Sequence, residues 1–233
     1  MNRLFTFGCS YTSFNWSTWA DILGSTATEF QNWGRTGGGN HYMFNSIYEC
    51  NQRNQFRPGD TVIVCWTNTM REDRYINTWR CLGNVYTQPL YDDKWLRANV
   101  TERGCLIRDL PMIAAARLLL DSTKVTWRFI SMVPIDQSDQ YQAGRNKNQD
   151  LLNLYRDTVD SILPSYWEVL KNRTPIETDL HPTPAEHLKY LDSVLPEFHI
   201  PESTRLQIAK EEAIIRAPGY QLPAYIIPEI TRA

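Results

Sequence analysis

The chain has 233 residues, of which 42% are hydrophobic and 21% are charged, and its formal net charge is −2. This composition supports a folded core and excludes wholesale disorder, and the length suits one domain with an appendage. The near-neutral charge and a pI of about 6.1 argue against a dedicated nucleic-acid binder. No apolar run approaches the roughly 20 residues that a membrane helix needs.

The predicted elements alternate between strands and helices. In the first half of the chain they are a strand at 3–7, a helix at 16–23, a strand at 26–33, a helix at 40–53 and a strand at 61–66. In the second half they are a helix at 106–120, a strand at 125–132, a helix at 151–170 and a short helix at 184–195. Proline should be tolerated at Pro111 only if it lies in the first helical turn, and Pro164 should break the helix that contains it.

This alternation predicts βαβ units and a mainly parallel sheet covered on both faces, which is a three-layer α/β/α sandwich. The run at 61–66 is continuously apolar, as expected for a strand buried on both faces. Sites in such sheets form at the carboxyl ends of strands, so the segments after residues 7, 33 and 66 are the candidates.

Two of these segments can bring backbone N–H groups to a ligand. Ser10 follows the first strand on a turn that can expose its hydroxyl, although by itself this block favours a helix N-cap. The second strand is followed by a glycine-rich stretch at 34–39, which allows close approach to a ligand or is a flexible turn. A phosphate loop is disfavoured there because no Gly-Lys-Ser/Thr ending follows.

Two further segments carry polar side chains. Asn68, after the third strand, could donate a hydrogen bond into the cleft or could be a simple turn residue. Near the end of the domain, Asp179 lies two residues before His181, so it could fix the tautomer of the imidazole. The rival interpretation, a metal site that adds His187, is disfavoured because a six-residue spacing does not share a helical face. We expect His187 to pack or cap within the following helix.

The ordered set of four segments resembles the SGNH hydrolases, also called GDSL-like esterases and lipases. Gly8-Cys9-Ser10 corresponds to the nucleophile block, with Cys9 where the family usually has Asp. The glycine block corresponds to residues 32–37, and the third block retains only its Asn. The last block keeps its His-Pro pair, but its Asp lies two residues before the His instead of three.

The resemblance implies a flavodoxin-like sheet and acyl transfer to water through an acyl-enzyme. It implies Ser10 as nucleophile, His181 as general base and Asp179 as the group that orients the base. The oxyanion hole would comprise Ser10, Gly37 and Asn68, and the reaction needs no cofactor and no metal. The variant motifs are similar to those of uncharacterised SGNH-like proteins encoded by bacteriophages.

The segment from about 70 to 104 is an insertion by the standards of this family and is rich in aromatic residues. It could be a substrate lid or a sugar-stacking platform, or the aromatic residues could form a small core of their own. An acetylated polysaccharide is the expected substrate class. The candidate substrate-binding residues are Trp66, Arg71, Trp79, Tyr86 and Trp95.

We place the hydrolase-like domain at 1–200 and a helix with an extended apolar arm at 201–233. Three prolines keep this arm extended, and it could fold back or dock on a neighbouring chain. An alternative function is therefore a structural or receptor-binding virion protein with little or no catalysis. The expected partners are an acylated small molecule or polysaccharide, with virion proteins or a second copy on the arm, and neither nucleic acid nor membrane.

The cysteines and the N-terminus indicate the compartment of synthesis. The five cysteines are odd in number and widely spaced, which is typical of reduced thiols and not of a disulfide framework or a zinc site. The N-terminal sequence MNRLFTFGCS lacks the pattern of a secretory signal. We therefore expect synthesis in a host cytoplasm, with later release in a virus particle left open.

Overall fold

A computed structural model describes residues 1–87, 90–135, 148–176 and 179–222 of the chain. The strands are β1 (Arg3–Gly8), β2 (Glu29–Gly34), β3 (Thr61–Trp66), β4 (Arg71–Ile76), β5 (Thr78–Asn84) and β6 (Thr126–Ser131). The helices are α1 (Trp19–Gly24), α2 (Asn40–Asn54), α3 (Asp93–Asn99), α4 (Glu102–Thr123), α5 (Gln149–Leu154), α6 (Arg156–Val159), α7 (Tyr166–Val169), α8 (Pro184–Val194) and α9 (Glu202–Ile215).

The main sheet has the strand order β2-β1-β3-β6, and all neighbouring strands are parallel. Ile162 adds an isolated parallel bridge to Phe129 on the far side of β6. This order places β1 between β2 and β3, so the chain reverses its winding direction at β1, as in flavodoxin-like sheets. The predicted mainly parallel sheet is confirmed, and Ser10 follows β1, one of its two inner strands.

Alternation along the strands divides the core into two layers. Phe5, Val62 and Val64 face the layer that contains α2 and α4. Leu4 and Ile63 face the opposite layer, which contains α1, α8 and α9. Because side chains on a strand alternate between faces, strands that are apolar at every position need helices on both sides. The three-layer sandwich follows from this pattern.

Several predicted boundaries differ from the structure. The second strand begins at Glu29, three residues later than predicted. Helix α4 is longer than predicted, so Pro111 lies in its interior and not in the first turn. Pro111 lies on the exposed side of α4, where the carbonyl that loses its N–H partner can be hydrated. The predicted helix at 151–170 is three short helices, and Pro164 lies in one of the breaks between them.

The insertion contains an antiparallel β4–β5 hairpin that the sequence did not predict. Tyr75 and Trp79 pair across it with ring centroids 5.6 Å apart, while Tyr91 and Trp95 form a second pair at 4.4 Å. Tyr75 is 64% exposed and Trp79 packs against the main core, so these rings form two pairs and both interpretations of the insertion stay predictions. Tyr86 is 58% exposed, so its ring is largely accessible to solvent.

The chain after residue 200 begins with α9, whose Ile208 is buried in the core layer under α8. Beyond α9, Tyr220 and Leu222 pack against a small cluster formed by Trp16, Ile176 and Ile215. Residues 223–233 lie outside the described residues, as does most of the loop predicted at 134–148. The domain boundary at residue 200 and the docking arm therefore stay predictions. Within the described ranges, no helix is long and apolar enough to span a membrane.

Candidate active site

Ser10 lies on a tight turn directly after β1. The N–H groups of Thr12 and Ser13 both donate to the carbonyl of Cys9, at 2.9 and 3.1 Å. The next helix, α1, begins only at Trp19 and is capped by another residue, so Ser10 is not the N-cap of a helix. Ser10 is only 4% exposed, and its Oγ lies 2.8 Å from Nε2 of His181. The two groups are within hydrogen-bond reach although 171 positions separate them in sequence.

Asp179 lies on the other side of the imidazole. Its Oδ1 is 2.6 Å from Nδ1 of His181 and also accepts the backbone N–H of His181 at 2.6 Å. The carboxylate therefore fixes His181 with Nδ1 as the protonated nitrogen, and Nε2 becomes the acceptor that faces Ser10. The three residues thus form a continuous hydrogen-bonded chain from carboxylate to hydroxyl.

Burial sets the protonation state of His181. Desolvation lowers its pKa below the usual 6.5, and the nearby Arg71 and Arg173 act in the same direction. Asp179 opposes this change and raises the pKa, but the net direction is downward. His181 is therefore neutral at neutral pH and can accept a proton.

Two aromatic residues that sequence reasoning missed hold the loop of His181. The ring of Phe14 stacks on the imidazole, with centroids 4.0 Å apart and an interplanar angle of 26°. The indole N–H of Trp16 donates to the carbonyl of Pro182 at 2.8 Å. Both residues follow the Ser10 turn, so one short segment carries the hydroxyl and contacts the histidine loop.

A partly buried ion pair also supports this loop. Arg173 lies 3.0 Å from Glu186, and its guanidinium also donates to the carbonyl of Leu180. Glu186 in turn accepts the backbone N–H of Thr183 in the capping box that begins α8. These contacts link the position of His181 to the start of a regular helix.

His187 lies one turn into α8 and is fully buried. Its Nδ1 is 2.9 Å from the hydroxyl of Tyr166, which agrees with the packing role predicted for it. Burial lowers the pKa of His187 to about 3, so the ring is neutral. Among the described residues, no group of three or more potential metal ligands is assembled.

The glycine loop lies against the Ser10 turn. Arg35 donates its backbone N–H to the carbonyl of Gly8 at 3.0 Å, and the hydroxyl of Thr36 donates to the carbonyl of Ser13 at 3.3 Å. Gly37 has a φ of 76°, and a Cβ there would lie 2.4 Å from the carbonyl oxygen of Cys81. Both the backbone conformation and the close approach of β5 therefore require glycine at this position.

The hairpin of the insertion holds the other side of the glycine loop. Asp73, on β4, accepts the N–H groups of Gly39 and Tyr42, both at 2.9 Å. Gly83 donates to the carbonyl of Gly37 at 3.0 Å. Since Gly39 is the N-cap of α2 and has no side chain, Asp73 supplies the capping carboxylate from a different element. Burial raises the pKa of this carboxyl group.

The third block is tied to the start of α2. Asn40 accepts the N–H of Thr67 at 2.9 Å and donates to the buried carboxylate of Asp109 at 2.7 Å. One residue further on, Asn68 accepts the N–H of Met70 through Oδ1 at 2.6 Å. The donor group of this side chain is its Nδ2 amide. Asn40 and Asp109 escaped sequence reasoning because neither belongs to a recognisable motif.

The five predicted substrate-binding residues lie in different environments. Trp66 is fully buried and packs edge-on against Phe129, so its assignment to substrate binding is wrong. Arg71 lies at the site, donating to the carbonyl of Gly38 at 3.0 Å. Trp79 packs on Tyr42, at 5.6 Å between ring centroids.

The two remaining predicted substrate residues lie further along the insertion. Trp95 packs on Tyr91. Tyr86 is exposed in the 3₁₀ turn that follows β5. Neither of them lines the cavity beside the His181 loop, which is described below.

No protein-family model and no curated protein matches the chain. Among solved structures, it is similar to a member of the lipolytic G-D-S-L family from Veillonella parvula, with 14% identity and a TM-score of 0.46, covering 82% of this chain and 97% of that one. It is also similar to a psychrotrophic esterase from Pseudoalteromonas, with 8% identity and a TM-score of 0.46, covering 83% and 96%. A third similar structure is a mutant acetyl-xylooligosaccharide esterase from Geobacillus, with 14% identity, a TM-score of 0.40 and coverage of 96% and 97%.

Proposed function

We propose that the protein is a serine ester hydrolase that acts through an acyl-enzyme. The observation that carries this proposal is the chain of hydrogen bonds from Asp179 through His181 to Ser10, with distances of 2.6 and 2.8 Å. A nucleophile, a base within reach of it and a third group that orients the base are the parts that nucleophilic acyl transfer needs.

In the first half of the reaction, Oγ of Ser10 attacks the ester carbonyl and its proton passes to Nε2 of His181. A C–O bond forms, the carbonyl electron pair moves to the oxygen, and a tetrahedral oxyanion results. When the oxyanion collapses, the bond to the alcohol oxygen breaks. His181 then returns its proton to the departing alcohol, leaving the acyl group on Ser10.

In the second half, water replaces the alcohol. His181 removes a proton from the water as it attacks the acyl carbon, and a second oxyanion forms. Collapse of this oxyanion breaks the bond to Ser10, which regains its proton from His181, and releases the carboxylic acid. Asp179 stabilises the imidazolium in both halves but keeps its own charge.

The proposed donors to the oxyanion are the backbone N–H groups of Ser10 and Gly37 and the amide of Asn68. The glycine loop abuts the Ser10 turn, and Asn40 ties the third block to the same corner of the sheet. This placement supports the proposal, because donors fixed in advance are what oxyanion stabilisation requires.

Hydrolysis of p-nitrophenyl acetate by the wild type and by Ser10→Ala tests this function. We expect Ser10→Ala to lower kcat by several orders of magnitude while the thermal midpoint stays within a few degrees, since members of a catalytic unit fail together. Ser17→Ala is the matched control, because it makes the same change in the segment that follows the turn. Equal activity of the wild type and Ser10→Ala would exclude this mechanism.

The finer identity of the substrate is a separate question. Removal of acetyl groups from a carbohydrate stays a prediction, motivated by the aromatic insertion and testable on acetylated xylan. The relationship to bacteriophage proteins and the non-catalytic virion role also stay predictions. The hydrogen bond between Ser10 and His181 favours the enzyme over the scaffold, because a scaffold has no need of it.

A further inference from the structure

A cavity of about 390 Å³ lies beside the loop that carries His181. On the site side it is lined by Tyr11, which follows Ser10, and by Leu180 and Pro182, which flank His181. It is also lined by Met132, Trp167 and Leu170. The cavity therefore adjoins the Ser10 turn and the His181 loop, and no residue of the glycine loop at 34–39 lines it.

The lining of this cavity is mainly apolar. Trp167 is 59% exposed and Leu180 is 74% exposed, so two large apolar side chains remain in contact with water at the cavity. An exposed tryptophan and leucine beside a concave apolar surface are typical of a binding site for an apolar group.

The charged groups that line the cavity in the described part of the chain are Lys171 and Arg173. Arg173 is already paired with Glu186 and with a backbone carbonyl. Burial raises the pKa of Tyr11 to about 12, so its hydroxyl stays protonated and adds no negative charge. Sugar hydroxyls need several polar partners, and this lining offers few of them.

The direction of the reaction decides which half of an ester meets this cavity. Nε2 of His181 must reach the leaving oxygen to protonate it, so the alcohol half lies on the histidine side. Gly37, one of the proposed oxyanion donors, is not among the residues that line the cavity. We infer that the cavity binds the alcohol half of the substrate, and that this half is an aliphatic or aromatic group of about six to eight carbons. This inference rests on the proposed esterase function.

The cavity is large enough for a group in this range. A dry apolar cavity of about 150 Å³ is enough to bind benzene. A volume of about 390 Å³ can therefore hold a phenyl ring or a six-carbon chain with room to spare. Each methylene that is fully buried is worth about a fourfold gain in binding.

The test measures the hydrolysis of a series of acetate esters that differ only in the alkyl alcohol. The acid released is measured by pH-stat titration. From ethyl to hexyl acetate, four methylenes are added with little change in leaving-group chemistry, and we expect kcat/KM to rise about tenfold to hundredfold. Trp167→Ala should lower the ratio of hexyl to ethyl acetate severalfold. Tyr86→Ala, which removes a similarly exposed aromatic side chain outside the cavity, should leave the ratio unchanged.

Several outcomes would overturn the inference while the esterase function stands. These are a hexyl-to-ethyl ratio near one, a ratio unaffected by Trp167→Ala, a preference for ethyl hexanoate over hexyl acetate, or a preference for an acetylated sugar. If no ester is hydrolysed in a Ser10-dependent way, the proposed function fails. Calorimetry with 2-phenylethanol then decides the inference: binding weakened by Trp167→Ala supports it, and absence of binding overturns it.

Discussion

Asp73→Asn should reduce catalysis without touching any proposed catalytic residue. In the native protein the two carboxylate oxygens accept the N–H groups of Gly39 and Tyr42, each at 2.9 Å. An amide keeps one acceptor but turns an NH₂ group toward the other N–H. One hydrogen bond to a charged group is lost, and the start of α2 loses a negative charge.

The magnitude follows from these two contacts. A hydrogen bond to a charged group contributes about 1.5–3 kcal/mol, and a carboxylate at a helix N-terminus contributes about 0.3–1 kcal/mol. Burial raises the pKa of Asp73, which means that the buried carboxylate carries a desolvation penalty. The neutral amide does not carry this penalty, and this difference offsets part of the loss. We therefore expect the free energy of unfolding to fall by about 1–3 kcal/mol.

The effect on catalysis depends on Gly37, which lies two residues before the Gly39 amide. Loss of one oxyanion donor costs about 10²–10³ in rate, so partial displacement of Gly37 should lower kcat about tenfold to hundredfold. KM should change less than threefold, because the cavity at the His181 loop is untouched. Steady-state kinetics well below the unfolding midpoint measure both constants. Asp93→Asn, the same chemical change at an exposed site in the insertion, should alter neither.

A different result would refute this reasoning. If Asp73→Asn loses stability but keeps the wild-type kcat, the hairpin serves the fold alone and does not hold the oxyanion donor. If KM rises while kcat is unchanged, the hairpin contacts the substrate instead.

Two further predictions concern the histidines. Asp179→Asn should lower kcat less than His181→Ala does, because an amide oxygen in the place of Oδ1 can accept both bonds that this one oxygen makes to His181. Equal losses would make the negative charge indispensable. Burial lowers the pKa of His187 to about 3, whereas an ordinary histidine has a pKa of about 6.5. As the pH falls from 6.5 to 5, the unfolded chain therefore binds a proton that the folded chain does not. The free energy of unfolding should fall by about 2 kcal/mol over this range. Urea unfolding should show a smaller loss in His187→Asn, whose amide can still bond Tyr166. Equal pH dependence of the wild type and this variant would contradict the assignment.

The sheet could be predicted because its signals are local. The run at 62–66 is apolar at every position, and helix α2 shows the helical period, so each element is visible in its own segment. The β4–β5 hairpin has no such signal. Its strands begin Arg-Glu-Asp and Thr-Trp-Arg, and its turn centres on Asn77 with a φ of 63°. The hairpin is held by contacts to the glycine loop, which the local sequence cannot show.

The error at Trp66 could have been avoided from the sequence. Trp66 shares its parity along β3 with Val62 and Val64, which face α2 and α4. Alternation therefore directs its indole into the core even though the residue ends the strand. A residue at the carboxyl end of a strand has its backbone near the site. Whether its side chain also faces the site depends on which face of the sheet that position occupies.

The residues that support the site from other elements could not be predicted, for another reason. Asp73 and Asn40 act on backbone groups 27 to 34 positions away in sequence, so neither forms a motif with its partners. An acidic residue in a polar strand usually faces solvent. Only the fold shows that Asp73 instead caps a helix whose own N-cap is glycine.

The unusual spacing of Asp179 and His181 is accommodated by a compact local geometry. With one intervening residue, a single oxygen of Asp179 accepts both the backbone N–H and the ring nitrogen of His181, each at 2.6 Å. Such a turn must be held from outside, because two residues cannot fix the ring direction by themselves. Trp16 anchors the loop through the carbonyl of Pro182, and the stacked ring of Phe14 limits rotation of the imidazole. The departure from the usual spacing is therefore compatible with an oriented base, because neighbouring elements supply the constraint that the short spacing lacks.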